Sequence, residues 1–132
     1  MDALAYVIIT AMAKIAVIED DAAIAEMYRV KFVKDGHQVE TANSGKQGLA
    51  MMESFQPDIV LLDIVLPDID GDELLRQIRQ TIWGRDAKVL ILTNADEQTV
   101  SEVTDGLGVS AIIVKAKQTP SQVEQIIKDV LK

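Results

Sequence analysis

The chain has 132 residues, 48% hydrophobic and 26% charged, which is enough for one domain with a buried core and no need of stapling by metals or disulfides. It has no cysteine, which excludes disulfides, thiolate metal sites and cysteine nucleophiles and suits a reducing cytoplasm. A net charge of −8 argues against the domain itself gripping nucleic acid, because phosphate neutralisation needs clustered Lys and Arg.

Residues 1–13 read as an N-terminal extension. The uncharged stretch 3–13 falls short of the roughly 20 apolar residues a spanning helix needs, and it lacks the basic start of a signal peptide. It either precedes a natural start at Met12 or supplies an extra strand, Tyr6-Val7-Ile8-Ile9-Thr10, to a sheet edge. From Lys14 to Lys132 short apolar runs alternate with longer amphipathic stretches, the pattern of one α/β domain built on a parallel sheet.

The first predicted strand, 14–18, ends at Glu19-Asp20-Asp21, and a helix is predicted over 21–34 with Asp21 favourable at its N-terminus. His37, the single histidine, falls in the turn before a strand at 38–42 and is expected to be solvated. A helix near 45–54 leads to the strand 58–62, which stops at Asp63. The turn Ile64-Val65-Leu66-Pro67-Asp68-Ile69-Asp70-Gly71 follows, with Asp68 and Asp70 as turn formers.

A helix over 71–82 comes next, with Trp83 expected to pack at the opposite edge of the sheet. The strand 88–92 ends at Thr93, and the helix at 96–105 is the weakest, with Val100 and Val103 facing inward before Gly106-Leu107-Gly108. So few buried contacts make it the expected place of motion. The strand 110–114 ends at Lys115. The last helix, 120–131, has Thr119 to cap it, Pro120 at its first position and an apolar stripe of Val123, Ile126, Ile127, Val130 and Leu131. Met27, Tyr28, Phe32, Met51 and Met52 are assigned to core and near-core packing.

Four strands thus stop at a chemically useful residue. Parallel strands cross over right-handed, and ligands of open α/β sheets bind beyond the carboxyl ends of the strands. The five-strand order that best gathers these endings is 2-1-3-4-5, a doubly wound, flavodoxin-like sheet with helices on both faces. Glu19 and Asp20 then face Asp63, with Thr93 one strand away and Lys115 one further. Adjacent carboxylates repel one another unless a cation is present, and magnesium is the hard, oxygen-preferring partner that suits them. A carboxylate beside magnesium can attack phosphorus to form an aspartyl phosphate, with the Lys115 ammonium and the Thr93 hydroxyl placed to meet the phosphoryl oxygens.

Over Lys14 to Lys132 the chain resembles the receiver domain of bacterial two-component response regulators. The matching pieces are Val17-Ile18-Glu19-Asp20-Asp21, the stretch from Leu61 to Gly71, Leu92-Thr93-Asn94-Ala95 and Val114-Lys115. The resemblance implies that Asp63 accepts phosphate from the phosphohistidine of a sensor kinase or phosphotransfer protein. It implies magnesium held by Asp20, Asp63 and the Val65 carbonyl directly and by Glu19 through water, with Thr93 and Lys115 reading the phosphorylated state. The domain is then a cytoplasmic signalling switch rather than an enzyme. With no module after Lys132, its output is expected to be a protein target met through residues 96–131, not DNA or a membrane.

Two positions depart from the family pattern. Where the family places proline after the lysine, this chain has Ala116, and a cis bond before a non-proline residue costs about 2.5–4 kcal/mol, so the bond is expected to be trans and the loop 115–118 reshaped. Where the family often has Tyr or Phe, it has Ile112, a stiff side chain with no ring to swing inward. A receiver-like scaffold that signals without phosphate is therefore an alternative. An aspartyl-phosphate phosphatase of the haloacid dehalogenase type would need a second aspartate where Val65 stands. A flavodoxin-like nucleotide binder would be repelled by Glu19-Asp20-Asp21.

Overall fold

The computed structural model describes residues 13–132; the strand considered at 6–10 lies outside them. Five parallel strands, β1 (Lys14–Ile18), β2 (Gln38–Ala42), β3 (Ile59–Asp63), β4 (Lys88–Thr93) and β5 (Ala111–Val114), form one sheet in the order β2-β1-β3-β4-β5. The helices between and after them are α1 (Ala22–Lys34), α2 (Gly45–Phe55), α3 (Gly71–Arg79), α4 (Glu97–Val103) and α5 (Pro120–Leu131). The order 2-1-3-4-5 and the doubly wound architecture expected from the apolar runs are therefore observed.

Alternation along the strands sorts the core into two layers, since successive side chains point to opposite faces. Ala16, Ile18, Val60, Leu62, Val89 and Ile91 meet Met52 of α2, Leu74, Leu75 and Ile78 of α3, and Val100 of α4 on one face. Ile15, Val17, Ile59, Leu61, Leu90, Leu92 and Ile113 meet Tyr28 and Phe32 of α1 and Val123 and Ile127 of α5 on the other. β3 is buried along its whole length, which is why it reads as an unbroken apolar run. β2 is an edge strand, and only Ala42 in it is buried. Among the described residues no helix is long and apolar enough to cross a membrane.

Four helix starts are capped by side chains: Asp21 for α1, Ser44 for α2, Asp96 for α4 and Thr119 for α5. The last is a capping box with Gln122, and each such cap stabilises its helix by about 1 kcal/mol. α3 ends at Arg79, three residues before the expected boundary at 82. There the Thr81 hydroxyl donates to the Ile78 carbonyl at 2.7 Å and accepts from the Gly84 N–H at 2.9 Å, turning the chain. The Arg79 guanidinium is drawn to the carbonyls of Gly84, Ala87, Leu107 and Gly108 at 2.6–3.0 Å.

Three expectations about side chains are corrected. His37 is not solvated: it is 6% exposed, and its Nδ1 accepts the Ala13 N–H at 3.1 Å, because the turn tucks beneath the C-terminal half of α1 and against Glu124 of α5. Val103 faces outward at 43% exposure, so Val100 is the buried valine of α4, and the buried position one turn on is Thr104, whose hydroxyl donates to the Val100 carbonyl at 2.8 Å. Met27 is exposed on α1, whereas Tyr28, Phe32 and Met52 are fully buried as expected and Met51 is packed at the core's margin. Trp83 packs against the core and its Nε1 donates to Glu53 at 3.0 Å.

Candidate functional site

β1, β3 and β4 are neighbours, and their registers bring the strand ends level: Ile18 pairs with Leu62, Asp63 with Leu92, and Thr93 with Val114. The residues immediately beyond these pairs therefore project into one crevice. Glu19, Asp20 and Asp63 offer carboxylate oxygens that all lie within 4.8 Å of one another. Asp63 is only 4% exposed although it carries a charge at the mouth of the sheet.

Both Asp63 oxygens are engaged. Oδ1 accepts the Val65 N–H at 3.0 Å, and Oδ2 accepts from the Lys115 ammonium at 3.0 Å. The same ammonium sits 2.7 Å from the buried Glu19 Oε2, so one cation serves both carboxylates. Glu19 Oε1 accepts the Asp21 N–H at 3.3 Å. Asp20 is exposed at the rim. Lys115 is itself anchored through its backbone, whose N–H donates to the Thr93 carbonyl at 2.8 Å.

The electrostatics follow from this packing. Burial pushes the Glu19 carboxyl up, the Lys115 ammonium pulls it back, and the neighbouring Asp63 charge raises it again, leaving it at about 7. For Lys115 burial works to lower the value, but the attraction of Glu19 and Asp63 outweighs it and the net shift is upward. Three acids against one ammonium leave a local excess of negative charge. A hard cation fits this donor set: three carboxylates whose oxygens lie within 4.8 Å of one another, two of them on buried residues.

Thr93 is buried, and its Oγ1 accepts the Ala95 N–H at 2.8 Å, which orients the hydroxyl and leaves its proton to donate elsewhere. It is not the cap of α4, a role taken by Asp96. Val65 and Ala95 flank the crevice and are exposed, Val65 to 69%. Gly71 closes the site from below: a Cβ there would fall 2.6 Å from the Asp63 carbonyl oxygen and from Ile64 Cα, so the backbone of α3 can start beside Asp63 only if residue 71 is glycine.

The structure thus brings Glu19, Asp20, Asp63, Thr93 and Lys115 to one edge, as the strand endings led one to expect. The Lys115–Ala116 peptide is trans, no described residue having a cis bond, and Lys117 N–H closes a turn onto the Val114 carbonyl at 2.9 Å. Ile112 is half-buried against the α2–α4 face of the core. Asp68 lies in the expected turn and does more than form it. Its carboxylate accepts the N–H groups of Gly45 and Lys46 at 2.8 and 2.9 Å, a contact over more than twenty residues that local sequence pattern does not announce.

Comparison with known proteins is consistent with this geometry. The family profile described as "Response regulator receiver domain" matches residues 15–128. Response regulator MprA of Mycolicibacterium vanbaalenii is 40% identical over 98 residues, which are 74% of this chain and 41% of that protein. MprA of Mycobacterium avium is likewise 40% identical over 98 residues. The chain thus spans about two-fifths of the length of these curated relatives. Among solved structures, chemotaxis response regulator CheY4 of Vibrio cholerae superposes with a TM-score of 0.84 at 24% identity, over 91% of this chain and 99% of that one, a likeness of fold. A CheY-like receiver domain protein of Methanospirillum hungatei gives 0.83 at 28% identity, over 91% and 94%.

Proposed function

The chain belongs to the response regulator receiver domain family, a family of signalling domains, and from that premise we propose that Asp63 is its phosphoacceptor. The observation that carries the reading is the convergence of Glu19, Asp20 and Asp63 with the Lys115 ammonium at the carboxyl ends of adjacent strands. An Asp63 oxygen attacks the phosphorus of a phosphohistidine on a sensor kinase or phosphotransfer protein. A P–O bond forms, the P–N bond breaks, and the departing imidazole keeps the electron pair and takes up a proton from solvent. Lys115 balances charge on one side of the phosphoryl group, and the Thr93 hydroxyl donates to one of its oxygens.

Asp20, Asp63 and the Val65 carbonyl would hold magnesium directly, and Glu19 would do so through a water. When bound, the ion supplies positive charge to the phosphoryl oxygens as they accumulate negative charge. The carboxylates do the holding, and the low exposure of Asp63 and Glu19 keeps bulk water from screening them.

Output is proposed to pass to a protein target through α4, β5 and α5, in the cytoplasm. The domain itself, at a net charge of −8, is not a DNA-binding surface. A second reading, a receiver-like scaffold that signals without phosphate, is favoured by Ile112 and Ala116, where a swinging ring and a cis-proline are absent. A phosphatase reading is weaker, because Val65 supplies no acid–base group beside Asp63. Incubation with acetyl phosphate and magnesium, followed by intact-mass measurement of wild type and Asp63→Asn, separates these. Wild type should gain one phosphoryl group and the variant none; no adduct on wild type, or an equal one on the variant, rejects the acceptor.

A further inference from the structure

One of the ligands proposed above is not a side chain. The Val65 carbonyl has no rotamer to adjust, so its aim is set entirely by the backbone of the segment between β3 and α3. That segment is fixed at its root, where the Ile64 N–H donates to the Leu92 carbonyl at 3.1 Å and the Val65 N–H to Asp63 Oδ1. It is closed at its far end, where the Gly71 N–H donates to the Ile64 carbonyl at 2.9 Å and Val65 pairs with Asp70. Between these points its tip leaves the sheet and has to be held by something else.

Asp68 is what holds it. Oδ1 accepts the Gly45 N–H at 2.8 Å and Oδ2 the Lys46 N–H at 2.9 Å, so both carboxylate oxygens are spent on the first two N–H groups of α2. The third, Gln47 N–H, goes to Ser44 Oγ. A Cβ at residue 45 would fall 2.1 Å from Ile69 Cγ2, so the helix start is closed directly onto the tip. The bonds from Lys46 and Gly45 also hold the Asp68 carboxyl below its ordinary range, so the anionic acceptor persists into mild acid.

We infer that Asp68 is a positioning residue for the cation site: by clamping the tip of the β3–α3 segment to the N-terminus of α2, it holds the Val65 carbonyl in place. This rests on the functional reading above. It differs from simple capping of α2, because the Ser44 hydroxyl caps the same helix by accepting the Gln47 N–H, a bond that does not involve the segment that carries Val65.

The test measures magnesium binding by titration calorimetry on the full chain without a phosphoryl donor, for wild type, Asp68→Ala, Asp68→Asn and Ser44→Ala. Loss of the clamp should weaken magnesium binding about tenfold in Asp68→Ala, the range found for groups that orient metal ligands. Asn keeps one accepting oxygen and should fall between. Ser44→Ala should lower the melting temperature and leave the affinity unchanged. Labelling of Asp63 by acetyl phosphate in Asp68→Ala should recover at saturating magnesium. An unchanged affinity in Asp68→Ala, or an equal loss in Ser44→Ala, overturns the inference alone. A wild-type chain that binds no magnesium overturns the functional reading and this inference with it.

Discussion

Lys115 Nζ lies 3.0 Å from Asp63 Oδ2, joining residues 52 positions apart across the mouth of the sheet. The ammonium is the counter-charge for two buried acids at once, since it also stands 2.7 Å from Glu19 Oε2. It therefore neutralises the same oxygens that a divalent cation would.

Lys115→Ala should separate two quantities that ordinarily move together. Without the ammonium, Asp63 loses a group that stabilises developing charge, and phosphorylation by acetyl phosphate should slow by about a hundredfold or more. Magnesium binding should tighten, because a competing positive charge has left the carboxylates. Calorimetry and timed mass spectra on the same preparation check both; weakened magnesium binding would show that Lys115 arranges the acids rather than competes for them.

Glu19 supplies a pH dependence. With its carboxyl at about 7, the proton competes with the cation, and magnesium affinity should fall about tenfold between pH 8 and pH 6. The sign for stability without metal follows from the same shift. The unfolded carboxyl ionises near its ordinary 4.5 while the folded one resists, so Glu19's contribution to stability is lost as pH rises from there through about 7. Glu19→Gln should flatten both profiles, and a magnesium affinity that is level from pH 6 to 8 in wild type would count against the assignment.

His37 acts in the opposite sense. Burial lowers its pKa, Lys128 lowers it further, and Asp35 opposes them. Lys31 of α1, Asp35 just past its end, and Glu124 and Lys128 of α5 surround it, with Glu124 Oε1 3.9 Å from Nε2. Because Nδ1 accepts the Ala13 N–H, protonation there would break a buried bond. The stability that neutral His37 contributes is present above its unfolded value near 6.5 and is lost as pH falls through the lower folded value. The single histidine resonance should titrate below 6.5, and His37→Gln should shallow the acid limb of stability; titration at or above 6.5 would contradict the buried placement.

Val65 and Ala95 flank Asp63 with no polar group to orient a hydrolytic water. The aspartyl phosphate should therefore outlast a timescale of seconds, and Val65→Asn should shorten it. The decay of the phosphorylated mass after donor removal measures this directly, and a wild-type half-life of only seconds would refute it.

The strand endings were legible because burial leaves a plain trace. A parallel strand covered on both faces is a continuous apolar run, and a polar residue that ends it stands at the mouth of the sheet. Glu19, Asp63, Thr93 and Lys115 each follow or end such a run, and gathering these endings gives the order of the sheet. What stayed hidden was contact between segments that no periodicity links. Nothing local distinguishes Asp68, bound to Gly45 and Lys46, from Asp70, which makes no such bond. His37 looked like a turn residue because its burial is imposed by α5, which arrives some eighty residues later in the chain.

Arg79 carries a mechanical consequence. Its guanidinium rivets the carbonyls of Leu107 and Gly108 to those of Gly84 and Ala87, at the end of the sheet away from Asp63. α4 lies between that rivet and Thr93, and its seven residues make about two turns. If Thr93 reads the phosphorylated state as proposed, a displacement there would meet a pinned far end, and the helix would answer it by pivoting, like a short lever held at its foot, rather than by sliding along the sheet.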